Sequence, residues 1–186
     1  MAKIAIVFGT TEGHTRKIAE QIGDWLEGRH QLTLIDSSDV PPAFEAEEYD
    51  AFILAGSLHQ EKHQSSLVHF ATKHREALHR RPTAFLSVSL TAVIKDEKHD
   101  RDCRRCMDMF YEETGWYPTV DTPVAGALKY TQYDFFKRML MRMIAGKEGG
   151  DTDTSRDYEY TDWKELRLFI EKFVAKLPEG VQLSIA

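Results

Sequence analysis

The chain has 186 residues, 42% hydrophobic and 29% charged, with 24 Lys and Arg against 30 Asp and Glu for a formal charge of −6. That length suits one well-buried domain and falls short of two, and the composition excludes collagen-like, mucin-like and largely disordered architectures. The acidic balance gives no global positive field to hold nucleic acid, and the two cysteines are too few for a secreted disulfide framework or a four-ligand zinc site, so a reducing cytoplasm is expected.

In chain order, the first apolar run, Lys3-Ile4-Ala5-Ile6-Val7-Phe8, stops at Gly9, far short of a signal segment with its cleavage site, and reads as a strand. Ile18, Ile22, Trp25 and Leu26 then recur at i, i+4, i+7 and i+8 on an otherwise polar segment, the stripe of a crossover helix. Further strands are expected at 31–35, 50–56, 83–90 and about 118–126. Ala51 to Ala55 and Ala84 to Val88 are nearly continuous in apolar content, which marks strands covered on both faces and therefore paired in parallel. Residues 64–79 and roughly 100–114 read as helices between them, and Thr161-Asp162 starts a closing helix striped by Trp163, Leu166, Phe169, Ile170, Phe173, Val174 and Leu177. No apolar stretch approaches the roughly 18 residues of a membrane span. Pro41-Pro42, Gly149-Gly150 and 151–156 are loops, none of them a linker, so residues 1–186 form one domain. Five strands alternating with helices define an α/β, doubly wound parallel sheet, for which the flavodoxin-like strand order 2-1-3-4-5 is the leading topology.

In such folds ligands bind at the carboxyl ends of the strands. There the first strand runs through Gly9-Thr10-Thr11-Glu12-Gly13-His14-Thr15 straight into the first helix. A helix N-terminus offers unpaired N–H groups and a positive dipole end, hydroxyls at Thr10, Thr11 and Thr15 add donors, and Gly9 and Gly13 let backbone approach closely. No lysine follows, and the glycine spacing is neither that of a P-loop nor that of a dinucleotide fingerprint. The loop reads as a cradle for a monophosphate without metal, or else as an ordinary capped turn.

Thr10, Gly13 and Thr15 resemble the flavin mononucleotide (FMN) loop of flavodoxins, with Glu12 in place of a usual threonine. That carboxylate opposes an anion unless it turns to solvent. The resemblance implies FMN as cofactor, bound by Thr10, Thr11, Glu12, Gly13, His14 and Thr15. It also implies that Ser57, Leu58 and His59 after the third strand, and Ser89, Leu90, Thr91 and Ala92 after the fourth, flank the ring. Neither of these loops carries an aromatic residue other than histidine, whereas electron-carrying flavodoxins stack Trp or Tyr on the flavin; an open ring face suits an enzyme that admits a flat substrate. His59 and His63 read either as solvated loop residues or as part of this site.

Beyond the fifth strand come Ala125-Gly126-Ala127-Leu128-Lys129-Tyr130, Gly149-Gly150-Asp151-Thr152-Asp153-Thr154 and Tyr160-Thr161-Asp162-Trp163. This ordered set resembles the short, flavodoxin-like, quinone-dependent protoporphyrinogen IX dehydrogenases of bacterial haem synthesis, in which a long insertion joins the fifth strand to the last helix. The family implies oxidation of protoporphyrinogen IX and electron delivery to a membrane quinone. His59, Gln60 and His63 stand where other members carry arginine and tyrosines. Within the insertion, residues 127–160, the apolar Tyr133, Phe135, Phe136, Met139, Leu140, Met143 and Ile144 oppose Lys137, Arg138 and Arg142. Such a basic amphipathic helix, over 133–146, either lies on an anionic membrane surface, the inner face of the cell membrane, or packs on its own domain. Lys129, Tyr130, Arg138 and Arg142 are candidate contacts to substrate and its propionates.

Cys103-Arg-Arg-Cys106 has redox-motif spacing but falls on a helix away from any thioredoxin-type junction, and reads as incidental. Scattered histidines at 59, 63, 69, 74 and 79 lack carboxylates arranged for a metal, and no catalytic base is assignable. The rival readings are a flavodoxin-type FMN electron carrier, an NAD(P)H:quinone reductase of the same fold, and a porphyrin-binding protein without turnover.

Overall fold

The computed structural model describes residues 1–128 and 158–177. Strand β1 (Lys3–Gly9) passes through helix α1 (His14–Leu26) to β2 (Gln31–Asp36), and β3 (Ala51–His59) folds back into the short strand β4 (Lys62–His63). Helices α2 (Ser65–Lys73) and α3 (Arg75–Arg80) lead to β5 (Thr83–Ser89), and α4 (Glu97–Thr114) leads to β6 (Val120–Ala125). The short strands β7 (Ala127–Leu128) and β8 (Tyr158–Glu159) precede α5 (Trp163–Val174). The sheet runs β2-β1-β3-β5-β6, with β4 added to β3, and the pairs along that path are parallel. Setting β4 aside, this is the expected 2-1-3-4-5 order.

Strands β1, β3 and β5 read as nearly continuous apolar runs because each is covered on both faces by helices. On β1, Ile4, Ile6 and Phe8 join α1 residues Ile18, Ile22 and Leu26 and α5 residues Leu166, Ile170 and Phe173 on one side. Ala5 and Val7, one register step away, join Leu67 and Phe70 of α2 and Met107, Phe110 and Tyr111 of α4 on the other. Asp96 caps α4 by accepting from His99 N–H at 2.9 Å, which starts that helix a turn earlier than apolar periodicity alone predicts. Asp162 caps α5 in the same way, accepting from Glu165 N–H at 2.9 Å.

Three features differ from the expected elements. The single helix expected over 64–79 is two, broken at His74, whose ring packs 4.7 Å from Phe70 and 5.2 Å from Phe44. The third strand continues past 56 to His59 and returns through a two-residue turn in which Gln60 (φ 50) and Glu61 (φ 64) are both left-handed. Side chains at such φ values cost roughly 1–2 kcal/mol each, offset here by the Leu58–His63 and His59–Lys62 pairing. Finally, β7 and β8 pair antiparallel, so the segment between them leaves and returns at one place; Tyr160 N–H also bonds Gly126 O at 3.1 Å.

Candidate functional site

At the carboxyl edge of the sheet, Gly13 sits at φ 89 as the cap of α1, and no side chain caps that helix. Thr10 Oγ1 instead accepts from Gly13 N–H at 2.9 Å, tightening the loop just before the helix begins. The first intrahelical bond is Lys17 N–H to Gly13 O at 3.1 Å, so the N–H groups of His14, Thr15 and Arg16 precede the ladder and point out of the helix end. The first turn carries no acidic residue. Thr15 Oγ1 is buried and has no hydrogen-bond partner among the described residues. A buried, unpaired hydroxyl beside free helix-end donors is costly in isolation and fits an anion that accepts from all of them at once.

His14 anchors this loop from behind. The one hydroxyl hydrogen of Thr161 goes to Ala125 O at 2.7 Å, so His14 Nε2 at 2.7 Å must carry a proton and donate to Thr161 Oγ1. Burial lowers the His14 pKa, partly opposed by Glu159, in keeping with the neutral Nε2–H form. Lys17 pairs with Glu159, which also accepts from Trp163 Nε1 at 2.6 Å. Residues on the returning segment thus brace the start of α1.

The loop opens onto a cavity of about 570 Å³. Thr10, Thr11, Glu12, His14 and Thr15 form one wall; Ser57, Leu58, His59, Gln60 and Glu61 another; Val88, Ser89, Leu90, Thr91, Gly126 and Ala127 complete the strand-end side. The remaining wall is one face of α4, at His99, Asp102, Cys103, Arg105 and Cys106. Burial pushes both thiols up, keeping them protonated, and Cys103 Sγ lies 3.9 Å from Ser89 Oγ. Leu58, Val88, Leu90 and the thiols supply apolar surface for a flat ring, and among the described residues the wall contains no Phe, Tyr or Trp.

Of the residues expected at the cofactor, all line this cavity except Gly13 and Ala92. Gly13 acts through its backbone turn, and Ala92 is buried beneath its own turn with its N–H bonded to Ser89 Oγ at 3.2 Å. Glu12 is half-buried on the wall instead of wholly turned to solvent. His63 is neither a solvated loop residue nor part of the cavity wall: it is buried, with Nε2 3.0 Å from Ser87 Oγ. Lys129, Tyr130, Arg138, Arg142, the helix over 133–146 and the Gly149–Thr154 motif lie outside the described residues. The α4 wall is absent from the sequence-based expectations, although positions 99, 102, 103 and 106 form a helical stripe that could have revealed it. Cys103 and Cys106, read as incidental, are free thiols on that stripe. Among the described residues no His, Cys, Asp or Glu cluster could hold a metal, and no helix is long and apolar enough to cross a membrane.

A parallel 2-1-3-4-5 sheet with an anion-receptive helix end at its carboxyl edge defines a flavodoxin-type domain, and the flavodoxin domain family model matches residues 5–155. The fold is shared with oxidised flavodoxin 1 from Bacillus cereus (TM-score 0.53, 16% identity, 95% of this chain and 100% of that one). It is shared also with the apo form of the NADH:FMN oxidoreductase EMOB (TM-score 0.57, 13% identity, 97% and 92%). Much nearer in sequence is a protoporphyrinogen IX dehydrogenase (quinone) from Leishmania major, 31% identical over 181 residues, 96% of this chain and 77% of that protein. The protein of the same name from Escherichia coli is 31% identical over 172 residues, 90% of this chain and 92% of that protein. The chain belongs to this flavodoxin-like protoporphyrinogen IX dehydrogenase (quinone) family.

Proposed function

We propose that the chain oxidises protoporphyrinogen IX to protoporphyrin IX through bound FMN and passes the electrons to a quinone. The observation that carries this reading is the cavity itself: a helix end fitted for a phosphate opens onto an apolar-walled space with no Phe, Tyr or Trp among its described lining residues. An electron-carrying flavodoxin, which covers its ring with aromatics, is disfavoured by that wall, while the relatives' names specify substrate and acceptor.

Bound FMN supplies a two-electron acceptor that the chain's own side chains lack. The His14, Thr15 and Arg16 N–H groups and the Thr15 hydroxyl hold its phosphate, and Gly13 permits the turn that aims them. His14 and Thr161 fix that loop against the end of β6. Leu58, Val88, Leu90 and the protonated thiols present a surface along which a flat macrocycle slides close and from which they exclude water. No side chain is assigned as a catalytic base.

Anaerobic mixing of FMN-loaded protein with protoporphyrinogen IX and a quinone should develop porphyrin fluorescence in step with quinone reduction. Turnover of NADH in its place would establish the reductase alternative, and stoichiometric porphyrin binding without turnover the binding-protein one.

Residues 1–186 act as one domain with a 127–160 insertion whose basic amphipathic segment, 133–146, reaches a membrane surface on the cytoplasmic side, where a lipid-soluble quinone resides. Lys129, Tyr130, Arg138 and Arg142 contribute to substrate binding from the same insertion. Replacing Phe136, Leu140 and Met143 by serine should release the protein from anionic liposomes while FMN stays bound. Unchanged cosedimentation would reject the membrane role.

A further inference from the structure

The α4 wall of the cavity carries a cation that the phosphate loop does not use. Among the described lining residues Arg105 is the only Lys or Arg, whereas Glu12, Glu61 and Asp102 contribute carboxylates. An anionic substrate entering this space meets repulsion from each of these carboxylates and attraction at Arg105. Its guanidinium pairs with Glu61, with Nη2 3.0 Å from Oε2. Both side chains are more than half exposed, at 57% and 67%, so water screens the pair and little is lost when it opens. The guanidinium is a planar fork of five donors shaped for bidentate carboxylate binding, so a substrate carboxylate suits it as well as Glu61 does. Glu61 is presented by the turn between β3 and β4, which is anchored on one side by the β3 pairing and on the other by buried His63. It therefore stays beside Arg105 as a fixed, weak competitor.

Resting on the function proposed above, we infer that Arg105 anchors a propionate carboxylate of the porphyrinogen, and that Glu61 is the internal carboxylate this propionate displaces. The exchange keeps the guanidinium paired when the cavity is empty and orients the macrocycle when it fills. Arg105 is a substrate-positioning residue that takes no part in electron transfer. Glu61 sets how strongly carboxylated substrates must compete.

The two partners then have opposite effects. In FMN-saturated protein, Arg105→Ala should raise KM for protoporphyrinogen IX about tenfold, more than it lowers kcat, and Arg105→Lys should recover part of that loss. Glu61→Gln should lower KM about two- to threefold. With the dimethyl ester of the substrate, which lacks both carboxylates, the difference between wild type and Arg105→Ala should vanish. Fluorescence titration with protoporphyrin IX should give the same order of affinities without turnover. A merely structural ion pair predicts instead that both variants weaken binding together and that the ester behaves like the acid, and that result overturns the assignment. Wild-type protein that forms no porphyrin with any quinone overturns the functional reading, and Arg105 with it. Normal wild-type turnover with an Arg105→Ala defect that persists on the ester overturns Arg105 alone.

Discussion

Replacing Thr15 by valine is expected to weaken FMN binding by about ten- to a hundredfold while leaving the flavin-free protein as stable as before or more so. The two effects share one cause. The Thr15 hydroxyl is buried on α1 without a partner among the described residues, so folding has stripped it of water for no internal gain. Valine fills nearly the same volume and keeps the branched Cβ, and removing the orphan relieves about 1 kcal/mol of desolvation cost. Against a bound phosphate the balance reverses, because a hydrogen bond to a charged acceptor is worth about 1.5–3 kcal/mol, the source of the expected loss. Thr15→Ser, which keeps the hydroxyl, should restore most of the affinity. Flavin-fluorescence titration reads the first effect and urea unfolding of the apoprotein the second. Wild-type affinity in the valine variant would remove the phosphate from this helix end. Lower apoprotein stability would mean that the hydroxyl has an internal role.

How far such a site is legible in the amino-acid sequence depends on whether it is local. Thr10 to Thr15 could be read because strand, turn and helix start lie in one stretch of chain, and the chemistry of a helix N-terminus follows from position alone. The stripe at 99, 102, 103 and 106 is visible as spacing on α4, but that it and Arg105 look into the cavity is not, since which face of α4 does so depends on how that helix crosses β5 and β6. The role of Thr161 was hidden for the same reason: it braces a histidine 147 residues away. The motif at Tyr160 to Trp163 announced a family, and its contact with His14 gives that motif a physical task.

The fold shows a similar division. Buried parallel strands announce themselves by continuous apolar runs, so β1, β3 and β5 were evident. The β3–β4 turn carries no Asn-Gly or Asp-Gly signal; Gln60 and Glu61 take left-handed φ values because the pairing around them and the burial of His63 outweigh local preference. The break at His74 lacks glycine or proline, and the apolar spacing of Leu67, Phe70, Ala71, Ala77 and Leu78 runs across it. Packing of His74 between Phe44 and Phe70 is a tertiary contact with no sequence signature.

Acid should destabilise the protein through His63, by about 3 kcal/mol between pH 6.5 and pH 4. The imidazole is buried between Phe85, at 5.2 Å, and Phe110, at 4.9 Å, with the Ser87 hydroxyl beside Nε2, and burial lowers its pKa to about 4 from 6.5. Between those values the unfolded chain binds a proton that the folded chain refuses, so stability falls as pH falls, and below about 4 the folded form also protonates and the slope ends. At about 1.36 kcal/mol per pH unit the gap gives the stated magnitude. His14, His30 and His74 are also lowered by burial and push in the same direction, so the His63 share must be isolated by difference. The double variant His63→Phe/Ser87→Ala keeps an aromatic ring in the cluster and leaves no orphaned hydroxyl; urea unfolding across about pH 4–7 should show its acid slope reduced by that amount. An identical slope in variant and wild type would mean that His63 is already charged or already exposed. Because His63 is the buried residue of β4, the same protonation pulls on the turn that carries Glu61, and the cavity rim should loosen before the sheet does. FMN release in acid should therefore begin at a higher pH than global unfolding in the wild type, and the interval should close in the double variant.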